Sequence, residues 1–368
     1  MRVLHITSPK SWRGGEQQLM YLVEELNKVG VWQIVLCPFN SEVHAYCLKN
    51  HINHLTYYKG FSANPMVAFR VNHVCKRERI DLMHVHDSHA HNFAVLSSVL
   101  SNNDIPIVVS RRVDFPVGEK LVSAYKYNHP RIAKIICVSR AILDIMEPAI
   151  EDKTKLAVVH SGVDLEKFEG VNPADLHSEY DIPQDHVVIG NVAALAPHKD
   201  YPTFIHTARR LIESGLKAKF LAIGDGPSRK EIIAEIARQN MQNHIVLTGF
   251  RSDVKSVLLA LDAFLITSET EGLGTSILDA QAAGIPIVAT RAGGITEVVI
   301  HEKTGLLADV KDDKALAKHV LSILENKTLR DRVVSGARDH VKAFSKQETA
   351  KKTKQVYDLV LLGNPAKA

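Results

Sequence analysis

Two α/β domains, each a doubly wound parallel sheet of the Rossmann kind, are predicted by three observations. The chain has 368 residues, more than one hydrophobic core usually supports. Short apolar runs rich in Val and Ile recur along it, each followed by a helical stretch, which is the signature of a parallel sheet covered on both faces. The pattern occurs twice. Between the two series lies 164–184, which carries Gly170, Pro173 and Pro183 without strong periodicity and reads as the connection between domains.

The elements follow in order. The opening MRVLHITSPKSW holds a six-residue apolar-leaning run and then turns polar, so it reads as a first strand at 3–7 and not as a signal peptide. Further strands are expected at 33–37, 82–86, 107–110, 135–138 and 157–160. In the second half they are expected at 187–192, 220–223, 245–248, 263–267, 287–290 and 305–307, with amphipathic helices between. The domains are therefore placed at 1–170 and 171–345, with a last helix from about Lys346 to Leu361.

Composition narrows the class. With 45% hydrophobic and 23% charged residues, the chain has the balance of an ordinary globular protein. Cys37, Cys47, Cys75 and Cys137 form no Cys-x-x-Cys pair, which argues against a zinc knuckle or a disulfide framework and fits a reducing cytoplasm. No stretch approaches the ~18 to 20 apolar residues that span a bilayer. A formal charge of +4 is too small to imply nucleic-acid binding. Residues 65–140 nevertheless hold eleven Lys or Arg against six Asp or Glu. That stretch is either a solvated face or one drawn to anionic lipid or to a phosphate-bearing acceptor, the second reading implying peripheral association with the inner face of a membrane.

In open parallel sheets ligands bind beyond the carboxyl ends of the strands, and the unusual residues sit there. In the first half these are Gly14 and Gly15, His86 and Asp87, and Arg111 and Arg112. In the second half they are Lys199, Gly224-Asp225-Gly226-Pro227, Glu271, and Gly293 with Gly294. Two such edges facing each other would form one cleft. The richest segment is 268–290. Its Glu271-Gly272-Leu273-Gly274 loop lets backbone approach a ligand, Thr275 or Ser276 is placed to cap the next helix, and the helix N-terminus suits a diphosphate. Asp279, about one turn on, would reach the same side. Acids near a helix start also serve simple dipole stabilisation, and that reading stays open.

The run from His84 to His91 puts His84, His86, His89, His91 and Asp87 within eight residues, so a metal-dependent hydrolase is weighed. The His-x-His-x-Asp-His spacing of such sites fails by one position, because Ser88 stands where the acid is needed. No Asp-x-Asp follows a strand to hold a cation on a diphosphate, and no Gly-x-Gly-x-x-Gly opens a helix.

At Ser268, Glu271, Gly272, Gly274, Asp279 and Ala280 the sequence resembles the retaining glycosyltransferases of the GT-B fold, specifically the large fourth family (glycosyl transferases group 1). The family's framework is Ser-x-x-Glu-Gly-x-Gly-x-x-x-x-Glu-Ala, and only the last acid departs, as Asp279. The likeness runs on through Gly14-Gly15, Val138-Ser139, Gly162-Val163-Asp164, Phe168, Gly224 to Pro227, Gly293-Gly294 and Glu297. It implies two Rossmann-like domains facing a cleft, with the segment 346–368 crossing back onto the first. It further implies that Glu271 lies beside the donor sugar and phosphates, that Asp279 bonds the ribose hydroxyls, and that Lys199 neutralises the leaving diphosphate. Gly14 and Gly15 would close over the donor phosphate, Gly224 would belong to the donor site, and backbone near Phe250 and Arg251 would hold the base. Gly272, Gly274, Thr275 and Ser276 complete the donor-binding set.

Two positions depart from the pattern. The arginine that accompanies the lysine is Ala194 here, and Arg111 or Arg112 is expected to supply its charge, the alternative being an exposed pair beyond a strand. Arg112 also stands where many relatives have a histidine that orients the transferred sugar, with Asp114 a possible substitute. His86 ends a strand that borders the acceptor cleft in the family. The expected catalytic set is therefore Lys199, Glu271, His86 and Arg112, with no metal and no cofactor beyond a UDP- or GDP-type sugar donor. The implied reaction is front-face transfer of a hexose-type sugar, with retention, to a hydroxyl of a glycan or glycolipid in bacterial surface polysaccharide or lipopolysaccharide assembly. A sugar-nucleotide epimerase and a non-catalytic nucleotide-sugar binder are the other readings of the same architecture.

Overall fold

The strands form where Val, Ile and Leu crowd into short runs, because β-branched side chains pack well on a pleated surface buried on both faces. The structure, a computed structural model, describes residues 1–118 and 121–363. It divides into two units, Met1–Gly162 with the chain from Lys346, and Val163–Ser345.

In the first unit β1 (Arg2–Ile6), β2 (Trp32–Pro38), β3 (His54–Tyr57), β4 (Leu82–Val85), β5 (Ile107–Arg111), β6 (Ile132–Cys137) and β7 (Leu156–Val158) form one sheet. Its order is β3-β2-β1-β4-β5-β6-β7, with every neighbouring pair parallel. In the second unit β8 (Val187–Val192), β9 (Ala218–Ile223), β10 (Ile245–Gly249), β11 (Ala263–Ile266), β12 (Ile287–Thr290) and β13 (Leu306–Ala308) run β10-β9-β8-β11-β12-β13, again all parallel. Both orders reverse beside the unit's first strand. The gaps beyond the ends of β1 and β4, and of β8 and β11, are therefore the topological switch points where such sheets place ligands.

Every expected strand is present, with ends displaced by a few residues at most. The addition is β3, a half-buried edge strand that pairs His54 with Val35. Its sequence HLTY has no continuous apolar run to announce it. The division between units also differs from the expected one. It falls between Gly162 and Val163 and not at 170/171, because the presumed connection is packed into the second unit. Leu165–Phe168 forms a 3-10 turn, Leu176 is buried, and the Ala174 N–H donates to the Ser256 carbonyl at 2.9 Å. Gly and Pro in this stretch shape turns and do not mark a linker.

The last helix, Lys346–Leu362, belongs to the first unit. Its Ala350, Val356, Tyr357 and Val360 join a core with Val3, Leu22, Leu26 and Leu82. Each large apolar side chain fully buried in this way contributes about 1.5–3 kcal/mol relative to exposure. Residues 364–368 of the expected returning segment lie outside the described residues. The second unit has its own core, built around Phe204, Phe220, Leu265, Val288, Leu316 and Val320.

Candidate active site

Two turns meet at the switch point of the second unit. Beyond β8 the chain passes through a 3-10 turn, Pro197–Lys199, into helix Tyr201–Glu213. Beyond β11 it passes through a loop into helix Thr275–Ala283. The Thr267 hydroxyl donates to the carbonyls of Lys199 (3.1 Å) and Asp200 (3.0 Å), and the Glu269 N–H donates to the His198 carbonyl at 2.9 Å. Stitched together, the turns bring the Lys199 ammonium onto the Glu271 carboxylate, which also accepts from the Ser268 hydroxyl at 3.3 Å. The two charged side chains keep 13% and 15% of their surface exposed, enough to meet a ligand yet mostly out of water.

Glycines hold this loop in place. The Gly294 N–H donates to the Glu271 carbonyl at 2.9 Å, and a Cβ on Gly294 would lie 2.8 Å from the Leu273 Cα. Gly274 is left-handed at φ 87° and is itself the N-cap of helix Thr275–Ala283, with no side-chain cap. Thr275 and Ser276, expected to cap, are instead its first helical residues. The sharp entry needs a glycine conformation, so the capping position falls one residue earlier, and the helix start keeps uncapped N–H groups.

Asp279 is paired with Lys167, whose ammonium also stands 5.2 Å from the Phe168 ring centroid. Burial raises the Asp279 carboxyl above its ordinary range, and the Lys167 charge opposes that rise. The turn after β9 packs on the turn that contains Ala194. Leu195 N–H donates to the Asp225 carbonyl at 3.1 Å, and a Cβ on Gly226 would lie 2.8 Å from the Leu195 backbone. Gly224, at φ 142°, begins that turn. Phe250 is exposed, whereas Arg251 is tied to Asp253 at 2.6 and 2.8 Å, to the Tyr180 hydroxyl at 2.7 Å and to Glu179.

In the first unit Gly14 and Gly15 open helix Gly14–Lys28, with the Arg13 N–H on the Glu16 carboxylate at 3.0 Å. A Cβ on Gly15 would lie 3.9 Å from Arg112 Cδ. The half-buried Arg112 donates to the Ser161 hydroxyl at 3.4 Å. Burial draws its guanidinium down to about 10, against the pull of the Glu16 charge. Arg111 is not exposed beyond its strand. It is buried, donates to the Tyr127 hydroxyl at 3.0 Å and to the Phe115 carbonyl, and stands 4.9 Å from the Phe115 ring centroid. It reads as exposed only because the residues that cover it come after it in sequence. Asp114 is half-buried on the same loop.

The histidine run is divided by the fold. His84 and His86 lie inward with rings 4.1 Å apart, and β1 brings His5 beside them, paired in register with His84. His91 turns away to the Lys126 carbonyl at 3.1 Å, while Asp87 caps helix Ser88–Ser101 and accepts from Ser8 at 2.5 and 2.7 Å. The four histidines therefore make no single cluster. Ring nitrogens of His5, His84 and His86 lie within 4.8 Å of one another, close enough to share an ion. Side chains already engage most of them. His84 meets the Tyr357 hydroxyl at 2.5 Å and the Ser110 hydroxyl at 2.8 Å, and His5 meets His86 and Gln33, each at 3.0 Å. His5, Gln33, Lys167 and Tyr357 were not expected at these sites. The signal for His5 was a single polar residue within the apolar run Val3 to Ile6.

Residues 12–167 match the family described as Glycosyltransferase Family 4, and residues 174–340 match the one described as Glycosyl transferases group 1. The chain is a GT-B glycosyltransferase of the family-four kind. This glycosyltransferase is 24% identical over 301 residues to the N-acetyl-alpha-D-glucosaminyl L-malate synthase of Bacillus anthracis, across 80% of this chain and 79% of that one. It is 27% identical over 284 residues to the UDP-Gal:alpha-D-GlcNAc-diphosphoundecaprenol alpha-1,3-galactosyltransferase of Escherichia coli, across 71% and 72%. In fold it is similar to HepE of Anabaena, solved in complex with UDP and glucose. The TM-score is 0.84 at 19% identity, over 98% of this chain and 100% of that one. Membership of the family sets aside the hydrolase and the non-catalytic binder. No helix among the described residues is long and apolar enough to cross a membrane.

Proposed function

We propose that this glycosyltransferase moves a hexose-type sugar from a UDP- or GDP-type nucleotide donor to a hydroxyl of a glycan or glycolipid, with retention of configuration and without a metal. The observation that carries the reading is the Lys199–Glu271 pair beside the uncapped start of helix Thr275–Ala283. An ammonium and a set of helix N–H groups provide fixed positive charge where a diphosphate would leave. That is the support for metal-independent transfer. Glu271 would hold the donor sugar and Asp279 the ribose, with Gly224 and the backbone at Phe250 and Arg251 around the base. Gly14 and Gly15, lacking side chains, leave backbone that a phosphate approaches closely, Arg112 would supply the charge missing at Ala194, and His86 would meet the acceptor.

A role in bacterial surface polysaccharide or lipopolysaccharide assembly is supported by the relatives' names. The E. coli relative acts on a diphosphoundecaprenol-linked sugar, and a second E. coli relative is a putative colanic acid biosynthesis glycosyltransferase. A cytoplasmic setting is supported by four free, buried cysteines. Peripheral contact of residues 65–140 with anionic lipid would appear as salt-sensitive co-sedimentation with phosphatidylglycerol vesicles and not with neutral ones.

The deciding experiment supplies a panel of UDP- and GDP-sugars with hexoside acceptors, with and without chelator, and reads the anomeric configuration of the product by proton NMR. Transfer with an axial donor giving an axial product, undiminished by chelator, is the expected result. Inverted product or loss of activity on chelation overturns the corresponding part. Donor epimerised without acceptor points to the epimerase.

A further inference from the structure

The buried histidines carry more order than packing alone requires. Gln33 donates through Nε2 to the Val23 carbonyl at 2.9 Å, so its amide orientation is settled and its Oε1 faces His5 Nε2 at 3.0 Å. A carbonyl oxygen only accepts, so the hydrogen of His5 sits on Nε2. Neutral His5 then has a bare Nδ1, and the group opposite it at 3.0 Å, His86 Nε2, must donate. His86 Nδ1 is left bare in turn, and it is buried with no partner. Burial favours this neutral chain, holding His5 down to about 4 and His86 well below its ordinary range.

An unpaired buried acceptor is costly, and it stands just beyond β4 at the switch point of the sheet. Arg112 Nε–H is also buried without a partner, and the Arg112 charge is felt at His86.

We propose that Gln33 and His5 are positioning residues whose hydrogen-bond chain fixes the His86 hydrogen on Nε2 and reserves Nδ1 to receive the hydrogen of the acceptor sugar's hydroxyl. The inference rests on the reading of this protein as a hexosyltransferase whose acceptor meets His86. The hydroxyl is oriented by donating to His86 and no proton leaves it at this step, so no further reactant is needed.

The test is nitrogen NMR of the full-length protein with ¹⁵N-labelled histidine, with the His86 signals assigned from their loss in His86→Gln. The expected result is a protonated Nε2 and a bare Nδ1, the latter moving on titration with p-nitrophenyl N-acetyl-α-D-glucosaminide. A hydrogen found on Nδ1, or an Nδ1 signal that ignores the glycoside, overturns the proposal even if no turnover is seen with any donor. Failure of the transferase reading would show separately, as a panel of donors and acceptors with no product.

Gln33→Met removes the carbonyl oxygen at nearly constant volume. It is expected to mix the His86 tautomers and to lower kcat/KM for the glycoside roughly tenfold, the value of one hydrogen bond, with donor affinity unchanged. Mixed tautomers with unchanged acceptor kinetics also overturn the proposal. If Gln33→Met does not fold, the wild-type titration decides alone.

Discussion

Lys199 and Glu271 form an ion pair across 72 residues of sequence, held by the Thr267 hydroxyl, which reaches two carbonyls of the facing turn. Because both are mostly out of water, each needs the other until a ligand arrives. Lys199→Met is expected to lower kcat by roughly 10²–10³, the range for removing one fixed charge from a developing anion. Glu271→Gln should lower it as well. In urea denaturation each single variant should lose stability. The double variant should lose less than the sum of the two, by about 0.5–3 kcal/mol, as directly coupled groups do. Strict additivity would mean that the pair is only incidental.

The glycines behind Glu271 give a second expectation. A Cβ at Gly294 would collide with the Gly272 carbonyl oxygen, and one at Gly293 would be both left-handed, at φ 47°, and pressed against the Glu271 backbone. Gly294→Ala should therefore displace the 271–274 loop, lowering the melting temperature and weakening donor binding together. Gly215→Ala is the control. It has φ 89° with nothing within 4 Å of its Cβ, so it should cost only the conformational strain of about 1 kcal/mol. Equal losses in the two variants would sink the explanation.

The sheets and the donor-side motif were legible because both are local. Val and Ile runs announce strands, and Glu271 to Asp279 is one contiguous stretch. What was not legible depends on partners far away in sequence. Arg111 looks like a free cation until Tyr127 and Phe115 fold over it. The segment 164–184 looks like a linker until Lys167 finds Asp279 and Glu179 finds Arg251. His5 acquires a role only when parallel pairing sets β1 against β4.

The Lys167–Asp279 pair bears on the shortened acid. With one methylene fewer than glutamate, the Asp279 carboxylate stays close to its helix and is neutralised by Lys167. If this acid holds the ribose, Asp279→Asn should raise the donor KM several-fold with a smaller change in kcat, since the lost contact is made equally in the ground and transition states. Asp279→Glu should keep or tighten donor binding. Lys167→Met should weaken it, because the half-buried acid then loses the cation that neutralises and positions it. Isothermal titration with the nucleoside diphosphate reads all three. An unchanged dissociation constant in Asp279→Asn would remove the residue from the donor site.

Acid should destabilise the first unit earlier than carboxylate titration alone would bring about. Burial holds His5 down to about 4 and His84, His86 and His91 well below the ordinary value of 6.5. In the unfolded chain these rings bind protons near pH 6.5, while in the folded protein they stay neutral. The unfolded state therefore holds more protons in that window, and stability rises with pH through it. It is fully present above about pH 6.5 and is lost as pH falls toward 4, at up to about 1.4 kcal/mol per pH unit for each such histidine. Glu16 and Asp279, whose carboxyls burial raises, act in the opposite direction, so the comparison must be between variants. Urea denaturation of the wild type and of His5→Asn at half-unit steps from pH 7.5 to 5 makes it. The variant should start less stable at pH 7.5 and show a shallower slope by as much as one proton. Parallel curves would mean that His5 takes up its proton at the same pH in the folded protein as in the unfolded chain, so that burial does not hold it neutral.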